Sequence, residues 1–219
     1  MPIPTPAEVI RARKALAAAD PGLAVIDAAI PEVAWRSHEG GFRGLVAMIT
    51  GQQVSTHAAA AIWKRFSEGV GAVTPQGVLG FDEATLKGFG LSTQKARYVH
   101  GIAGACESGD CDFGGIARMS DAEAVEMMIG MKGVGRWTAE LYLLFCEGRM
   151  DVFPAGDLAL QEGIRMADGS GDRPTEKQLY ARAEAWRPYR GMAAHMLWSY
   201  YGMIKRREIA PPDPAKVAS

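Results

Sequence analysis

The sequence predicts an all-α protein, and three features support this fold class. Side-chain N-caps followed by helix-favouring residues recur along the whole chain. The alternation of apolar and polar residues that is typical of half-buried strands is nearly absent. No internal repeat and no low-complexity linker interrupts the 219 residues, a length that suits one domain or two small ones. We therefore expect about ten short helices.

The helices of the first half begin at recognisable capping signals. Thr5-Pro6-Ala7-Glu8 combines an N-cap, a proline at the first helical position and a glutamate that reaches back, which together predict a capping box. Asp20-Pro21 starts a second helix in the same way. Ser55 can cap a helix that continues through Trp63. Further short helices are predicted to begin at Thr74-Pro75, Asp82 and Ser92.

The helices of the second half are bounded by caps, glycines and prolines. Ser120-Asp121-Ala122-Glu123 predicts a second capping box, and Thr175 heads a later helix. Pro188 ends that helix, and a last helix is predicted after this proline. The helices predicted for this half run over about residues 122–129, 138–146, 158–166, 175–186 and 189–206.

The composition argues against several classes of protein. The 24 Lys and Arg residues stand against 25 Asp and Glu, which gives a net charge of −1. This balance argues against a protein that holds nucleic acid through a broad basic surface. The apolar runs are too short to cross a bilayer, and the start of the chain has no pattern of a secretory signal. We therefore expect no membrane partner and a cytoplasmic location.

The three cysteines are Cys106, Cys111 and Cys146. Three are too few for a four-cysteine iron–sulfur site, and an odd set predicts no disulfide framework. A zinc site would need a histidine, such as His100, to join Cys106 and Cys111. Free, partly buried thiols are the favoured interpretation, so no metal site built from side chains is predicted.

The segment GMKGVGRWTA, residues 130–139, lies between two helical patterns. Two glycines with one apolar residue between them predict a tight turn, in which Val134 can plug the space between the helices. The glycines expose backbone N–H groups at the start of the second helix. Together with the helix dipole, these groups form a phosphate site that needs no lysine-rich surface. The alternative is a glycine-rich turn between packed helices.

This segment resembles the helix-hairpin-helix of the DNA glycosylase superfamily of that name. Its form GVGRWTA is similar to the alkylbase branch, the 3-methyladenine DNA glycosylase II family. Three other segments agree with the family in order and spacing, and the resemblance spans about residues 45–200. They are ITGQQVS at 49–55, DVFPAGDLAL at 151–160, and WRPYR at 186–190 with its continuation to Trp198.

The resemblance implies a monofunctional DNA glycosylase of base excision repair. Such an enzyme flips an alkylated purine, of the 3-methyladenine type, out of double-stranded DNA and hydrolyses its N-glycosidic bond. The implied fold has two helical subdomains with an active-site cleft between them. One subdomain, residues 40–148, would carry the loop that enters DNA and the helix-hairpin-helix. The other, residues 1–39 with 149–219, would carry the catalytic aspartate.

Asp157 matches the catalytic aspartate of the family, although its own context also predicts an N-cap for the helix that starts at Leu158. One carboxylate can suffice for this chemistry. Breaking the bond builds positive charge on the sugar, and a nearby anion stabilises that charge and orients the attacking water. Asp151 is the second carboxylate nearby, and a capped turn or a surface ion pair is its expected role.

Trp137 lies where glycosylase–lyase relatives carry the lysine that forms a Schiff base. An indole cannot form an imine, so lyase chemistry by that route is excluded. The ring is expected to stack on a flipped cationic base, and core packing is the alternative. Trp198 and Tyr189 are expected to help line the base pocket. Leu141 and Leu158 stand where the family often has aromatic residues, which favours a narrower range of lesions.

Gln52-Gln53-Val54 matches the loop that enters DNA in the family, and we name residues 52–54 the plug loop. Gln53 can fill the stack and bond to the orphaned base. The alternative is a plain turn before a helix that Ser55 caps. Lys132 stands where relatives often have proline. The hairpin residues expected to contact DNA are Lys132, Gly133, Val134, Gly135, Arg136 and Thr138.

The resemblance implies that no cofactor is required, although the carbonyl groups of the hairpin can coordinate a monovalent cation. The expected partner is double-stranded DNA with alkylated bases, and the protein is expected to be a monomer that is nucleoid-associated in a bacterium. Two other functions stay open: a non-catalytic helix-hairpin-helix DNA-binding module and a helical interaction protein. With a net charge of −1, DNA binding predicts a basic face that contains residues 133–136.

Overall fold

The computed structural model describes residues 3–33 and 35–210. These residues form helices, turns and loops without a strand, so the predicted all-α class is confirmed. Within them the helices outnumber the ten or so expected, since there are thirteen α-helices and one 3-10 turn. None of the helices in this part of the chain is both long enough and apolar enough to span a membrane.

The helix bounds follow in chain order. The first seven are α1 (Pro6–Ala19), α2 (Pro21–Ala29), α3 (Gly41–Gly51), α4 (Thr56–Val70), α5 (Pro75–Leu79), α6 (Glu83–Gly88) and α7 (Thr93–Ser108). The next six are α8 (Phe113–Ile116), α9 (Asp121–Ile129), α10 (Arg136–Phe145), α11 (Leu158–Ala167), α12 (Glu176–Ala183) and α13 (Arg190–Lys205). The 3-10 turn, Glu184–Trp186, follows α12 directly.

The predicted caps start the helices. Thr5 and Glu8 form the expected capping box, in which the Thr5 N–H donates to the Glu8 carboxylate at 2.7 Å and the Glu8 N–H donates back to the Thr5 hydroxyl at 3.3 Å. Ser120 and Glu123 form the second one. The two helices that the sequence did not predict are α3 and the four-residue α8. The N-cap of α3 is Gly40, which has no side chain to cap with.

The chain divides into two compact units. The first unit consists of the described residues up to Ser37 and those from Gly148 onward, and the second unit spans His38–Glu147. The first therefore holds α1, α2, α11, α12, α13 and the 3-10 turn, whereas α3 to α10 form the second.

In the first unit, α11 and α13 pack against each other and both contact α2. The helices α11 and α13 approach closely at Gly163, where a Cβ atom would lie only 3.1 Å from the Leu197 carbonyl oxygen. The core between these helices includes Leu160 and Ile164, which are fully buried. This packing fixes the start of α11 relative to α13.

A buried carboxylate, Asp20, links four elements of the first unit. It caps α2 by accepting from the N–H groups of Gly22 and Leu23 at 2.9 and 3.2 Å. The Arg182 guanidinium donates to both of its oxygens at 2.7 Å, and the Trp186 indole donates at 2.9 Å. The same guanidinium also binds the Asp168 carboxylate at 2.6 and 3.0 Å. One side chain thus ties α2 to α12 and the 3-10 turn, and through Arg182 to the end of α11.

In the second unit, α3 packs against α4, α7 and α10, and α9 packs against α10. Two hydrogen bonds join the first residue of α3, and a residue shortly before it, to the end of α10. The His38 N–H donates to the Phe145 carbonyl at 2.8 Å, and the Gly41 N–H donates to the Tyr142 hydroxyl at 2.7 Å. These contacts hold α3 and α10 side by side.

The three cysteines, all in the second unit, are free. Burial raises the pKa of the Cys111 thiol to about 12 and that of Cys146 to about 12. Both are therefore thiols at neutral pH. Over residues 3–33 and 35–210, no three His, Cys, Asp or Glu side chains gather as a metal site would require.

The substitution Asp20→Asn should destabilise the fold. It leaves the Arg182 charge half-buried with one partner fewer, so the free energy of unfolding should fall by about 3 kcal/mol at pH 7. Asp27→Asn is the matched control, because the Asp27 side chain is 29% exposed against 7% for Asp20, and the loss of its ion pair with Arg13 should cost at most about 1 kcal/mol. Urea unfolding measures both.

The loss of stability caused by Asp20→Asn should depend on pH. Burial alone would raise the pKa of Asp20, but the ion pair and hydrogen bonds with Arg182 and the Trp186 bond lower it below the usual value. A carboxyl with a lowered folded-state pKa stabilises the protein above the unfolded pKa of about 3.9, and that contribution is lost as the pH falls through the folded pKa. The difference between wild type and Asp20→Asn should therefore shrink in acid. A constant difference from pH 7 to pH 3 would contradict this account.

Candidate functional site

The hairpin joins α9 to α10 through a turn that only glycine accommodates. Gly133 has φ +93°, and a Cβ atom there would overlap the ring of Tyr98 on α7. The next residue, Val134, is 4% exposed, and its N–H donates to the Met131 carbonyl at 3.1 Å. The turn thus buries Val134, which is compatible with the prediction that it fills the space between the helices.

The first turn of α10 is open to an anion. Its N-cap is Gly135, which offers no side chain to its N–H groups, whereas α9 is capped by Ser120 and α7 by Ser92. Gly135 and Arg136 are exposed, and Lys132 beside them is exposed as well. Arg136 also forms an ion pair with Glu126 at 2.8 Å. Backbone N–H groups and the positive end of the helix dipole can therefore meet a phosphate here.

Gln52 and Gln53 of the plug loop line one groove of about 640 Å³ together with most of the hairpin; Val54 and Arg136 lie outside its lining. The side-chain amide of Gln52 joins the loop to the hairpin, since its nitrogen donates to the Gly133 carbonyl at 3.1 Å and to the Thr138 hydroxyl at 3.0 Å. Gln53 and Val54 are exposed, and Gln53 has the left-handed φ of 57°. The predicted site residues in this groove are Gln52, Gln53, Lys132, Gly133, Val134, Gly135, Trp137 and Thr138.

Ser55 caps α4, as the alternative interpretation of this loop predicts. Its hydroxyl accepts from the Ala58 N–H at 3.2 Å. This role is compatible with a plug function, because the cap fixes only the residue after the loop and leaves Gln53 and Val54 exposed.

Lys95 and Tyr98 are among the residues of this groove that were not predicted from the sequence as site residues. The Lys95 ammonium donates to the carbonyls of Thr50 and Gln52, and the Tyr98 ring lies beneath Gly133. Both side chains are on α7, more than thirty residues from the loops that they contact. No local pattern signals such contacts, because they depend on how the helices pack.

Trp137 stands at the start of α10 with 41% of its surface exposed, so the alternative of core packing is wrong for this residue. One and two turns further along α10 follow Leu141 and Phe145. These two residues line a separate, mostly apolar cavity of about 390 Å³ that also includes Trp63 and Met48. The face of α10 that carries Trp137 therefore continues into a cavity.

Asp157 belongs to the first unit, where it is the N-cap of α11 as its local context predicts. One oxygen, Oδ1, accepts from the N–H groups of Ala159 at 2.9 Å and Leu160 at 3.3 Å. The Trp198 indole N–H donates to that same oxygen at 3.2 Å. Three donors on one oxygen fix the plane in which the carboxylate lies. Leu158, the next residue, is 60% exposed.

Trp198 is in turn packed by a stack of rings. His195, one turn earlier on α13, meets it edge-on with ring centroids 6.0 Å apart, and Trp35 stacks on His195 at 4.2 Å. Burial lowers the pKa of His195 to about 4, so the imidazole is neutral at pH 7. Its Nδ1 lies 2.8 Å from the Gly191 carbonyl. The stack fixes the ring that supports Asp157.

The other two residues that the sequence placed near Asp157 have different surroundings. Tyr189 is the N-cap of α13, and nine residues of helix put its Cα about 13 Å from that of Trp198. Asp151 binds Arg190 at 2.9 Å and Arg187 at 2.6 Å, so it takes the expected ion-pair role. Of Asp151 and Asp157, Asp157 is thus the carboxylate to which an indole donates.

Comparison with known proteins gives a consistent result. Residues 46–188 match the model of the family described as "HhH-GPD superfamily base excision DNA repair protein". In Schizosaccharomyces pombe, DNA-3-methyladenine glycosylase 1 is 33% identical over 161 residues, which are 72% of this chain and 71% of that protein. The alkylbase DNA glycosidase-like protein mag2 of the same organism is 31% identical over 162 residues, 72% and 76% of the two chains.

Solved structures agree with these sequence matches. A DNA-3-methyladenine glycosidase from Bacillus halodurans superposes with a TM-score of 0.80 at 31% identity, over 89% of this chain and 91% of that one. The 3-methyladenine DNA glycosylase of S. pombe, solved in complex with abasic DNA, gives a TM-score of 0.79 at 27% identity, over 93% and 99% of the two chains.

The substitution Gly133→Ala should disrupt the hairpin. It combines the strain of a left-handed alanine with overlap between the new methyl group and the Tyr98 ring, so the free energy of unfolding should fall by about 2–4 kcal/mol. Gly109→Ala is the control, since Gly109 has φ +83° but open space around its Cβ position, and it should cost only about 1 kcal/mol. Equal losses in urea unfolding would show that the Tyr98 contact is unimportant.

Proposed function

The chain belongs to the HhH-GPD superfamily of base excision DNA repair proteins, as its motifs predict, and we propose that it is a monofunctional DNA glycosylase for alkylated purines of the 3-methyladenine type. Its substrate would be double-stranded DNA, and its reaction would be hydrolysis of the N-glycosidic bond of a flipped base. Such a substrate implies action in the cytoplasm, at the nucleoid if the cell is bacterial.

The observation that carries this proposal is the fixed carboxylate of Asp157. An indole N–H donates to this carboxylate at 3.2 Å in addition to the backbone donors of the N-cap, and that indole is packed by His195. Asp20 is an N-cap with an indole donor too, but Asp20 is buried, whereas Asp157 is partly exposed and can be reached by a substrate. Rigid orientation of an anion matters for catalysis, because a preorganised charge stabilises a transition state without first having to reorient. The catalytic interpretation and the capping interpretation are therefore compatible.

The chemistry follows from the charge that develops during cleavage. As the base leaves, the sugar takes on oxocarbenium character, and the Asp157 carboxylate stabilises this positive charge. The same carboxylate accepts a proton from the water that attacks the sugar carbon. Alkylation at purine N3 or N7 has already made the base cationic, so it departs without a strong general acid.

Selection of the base would begin at Trp137. A cationic base over an exposed indole gains about 0.5–2 kcal/mol of cation–π attraction, which a normal purine does not gain. Leu141 and Leu158 stand where the family often has aromatic rings, so the chain offers fewer rings for stacking. This composition favours a narrower range of lesions.

DNA would be held by backbone groups rather than by a basic surface. The N–H groups at the start of α10 would bind a phosphate, Lys132 and Arg136 would lie beside it, and the plug loop would fill the gap that the flipped base leaves. The abasic DNA bound to the S. pombe relative supports DNA as the partner. A basic face around residues 133–136 and a monomeric state remain part of the proposal.

No cofactor is needed for this reaction. A monovalent cation would bind to the hairpin carbonyls of Met131 and Gly133, whose oxygens each accept one hydrogen bond and retain a second lone pair. Such a cation would stiffen the turn and add positive charge near the phosphate.

The test of catalysis is release of free base from methylated duplex DNA. Wild type should release 3-methyladenine, and Asp157→Asn should slow single-turnover release by at least about a hundredfold, since the amide has the shape of the carboxylate but not its charge. Mass spectrometry of the released bases measures the rate. Asp172→Asn, in an exposed loop, is the control and should retain wild-type activity.

Two results would contradict the proposal. Tight DNA binding without any base release by wild type would favour the alternative, a non-catalytic helix-hairpin-helix DNA-binding module. Strand nicking without added alkali or heat would contradict the monofunctional assignment. Such nicking needs a protein amine that forms an imine with the sugar, and Trp137, at the position of the lyase lysine, cannot form one.

The indole that supports Asp157 should matter separately. Trp198→Phe keeps an aromatic ring and removes the N–H that donates to the carboxylate. Without this donor the carboxylate is less firmly oriented, so the single-turnover rate should fall about tenfold while DNA affinity changes little. An unchanged rate would mean that the backbone N–H groups of α11 suffice to orient Asp157.

A further inference from the structure

The structure places a lysine of α7 at the end of the helix that precedes the plug loop. The Lys95 ammonium donates to the Thr50 carbonyl at 2.9 Å and to the Gln52 carbonyl at 2.7 Å. Thr50 is in the last turn of α3 and Gln52 is its C-cap. The carbonyls at a helix C-terminus have no N–H of their own helix to bind, and they carry the negative end of the dipole. The Lys95 ammonium supplies hydrogen bonds to these carbonyls and also a positive charge at the negative end of the dipole.

The loop after these carbonyls needs external support. Gln53 adopts a left-handed φ of 57°, which is uncommon for a residue with a side chain. The next residue, Val54, is 39% exposed and therefore contributes little packing. The loop is therefore held from its two ends, by Ser55 as the cap of α4 and by the Lys95 bonds to the carbonyls before Gln53.

The same face of α7 also supports the hairpin. Tyr98 follows Lys95 by three residues, so the two side chains lie on one side of the helix. The Tyr98 ring fills the space next to Gly133, and the Gly133 carbonyl accepts from the Gln52 amide. Lys95 thus holds the backbone of Gln52 while the side chain of Gln52 reaches the hairpin. Plug loop and hairpin are fixed against each other through α7.

We propose that Lys95 is a positioning residue that holds the plug loop in register with the hairpin, so that the plug enters the duplex where the hairpin grips the phosphate. The inference rests on the proposed function, because it assigns Lys95 to the DNA-binding half of that site. Two of the three ammonium hydrogens are directed at carbonyls. Lys95 therefore acts on the loop and not chiefly on a phosphate.

The test compares binding to two duplexes of the same sequence. One duplex is intact, and the other carries a tetrahydrofuran abasic analogue opposite a 2-aminopurine, whose fluorescence reports displacement by the plug. A duplex that already lacks the base needs no catalysis, so the readout does not depend on base release. Binding is measured at several salt concentrations for wild type, Lys95→Met and Lys95→Arg. Arg97→Met is the control, since Arg97 is an exposed residue of the same helix and pairs with Glu83.

Lys95→Met should lower the preference for the abasic duplex about tenfold and reduce the 2-aminopurine signal, while its affinity for the intact duplex stays within about twofold of wild type. The salt dependence should not change. Lys95→Arg should recover most of the preference, because a guanidinium can also donate to two carbonyls. Arg97→Met should resemble wild type. Thermal unfolding verifies that each variant is folded, and Lys95→Gln replaces Lys95→Met if the latter does not fold.

Three results would overturn the inference. Equal weakening on both duplexes, with a salt slope lower by about one, would make Lys95 a phosphate contact. An unchanged preference in Lys95→Met would remove its role altogether. If wild type does not prefer the abasic duplex, residues 52–54 do not act as a plug. If wild type prefers abasic DNA but releases no base, the proposed catalytic function fails while the role of Lys95 is still decided by its variants.

Discussion

The left-handed turn at Gly133 is the constraint on which the DNA-binding surface of the second unit depends. No residue with a Cβ atom fits there, because the Tyr98 ring occupies the space. The turn sends Val134 into the core and leaves Gly135 to begin α10 without a capping side chain. It also presents the Gly133 carbonyl to Gln52, which connects the turn to the plug loop. The proposed phosphate site, a buried side chain and a link to a second loop thus arise from one backbone conformation.

This arrangement explains how a chain with a net charge of −1 can bind a polyanion. Backbone N–H groups and a helix dipole supply positive potential that no count of lysines and arginines includes. In the proposed chemistry, too, one residue has two roles. In the first unit, Asp157 combines a structural role with the proposed catalytic one, since the donors that make it an N-cap also fix the direction of its charge.

The sequence predicts what depends on neighbouring residues and misses what depends on distant ones. The capping boxes at Thr5 and Ser120 are local patterns, and both form as predicted. The helix α3 escapes prediction because Gly40 gives no capping signal. The local sequence indicates that Lys95 is an ordinary helix lysine. Only the packing of the helices places it against carbonyls more than forty residues away. The positions of Asp157 and the plug loop were inferred from family resemblance, since their local patterns alone indicate only caps and turns.

The central claim is that water, and no group of the protein, replaces the base on the sugar. Single-turnover cleavage of a duplex with one alkylated purine, in the presence of borohydride, tests it most directly. The account predicts released base and an unbroken abasic strand to which no protein is bound. A protein–DNA adduct that borohydride traps, or a strand that breaks without alkali or heat, would contradict it.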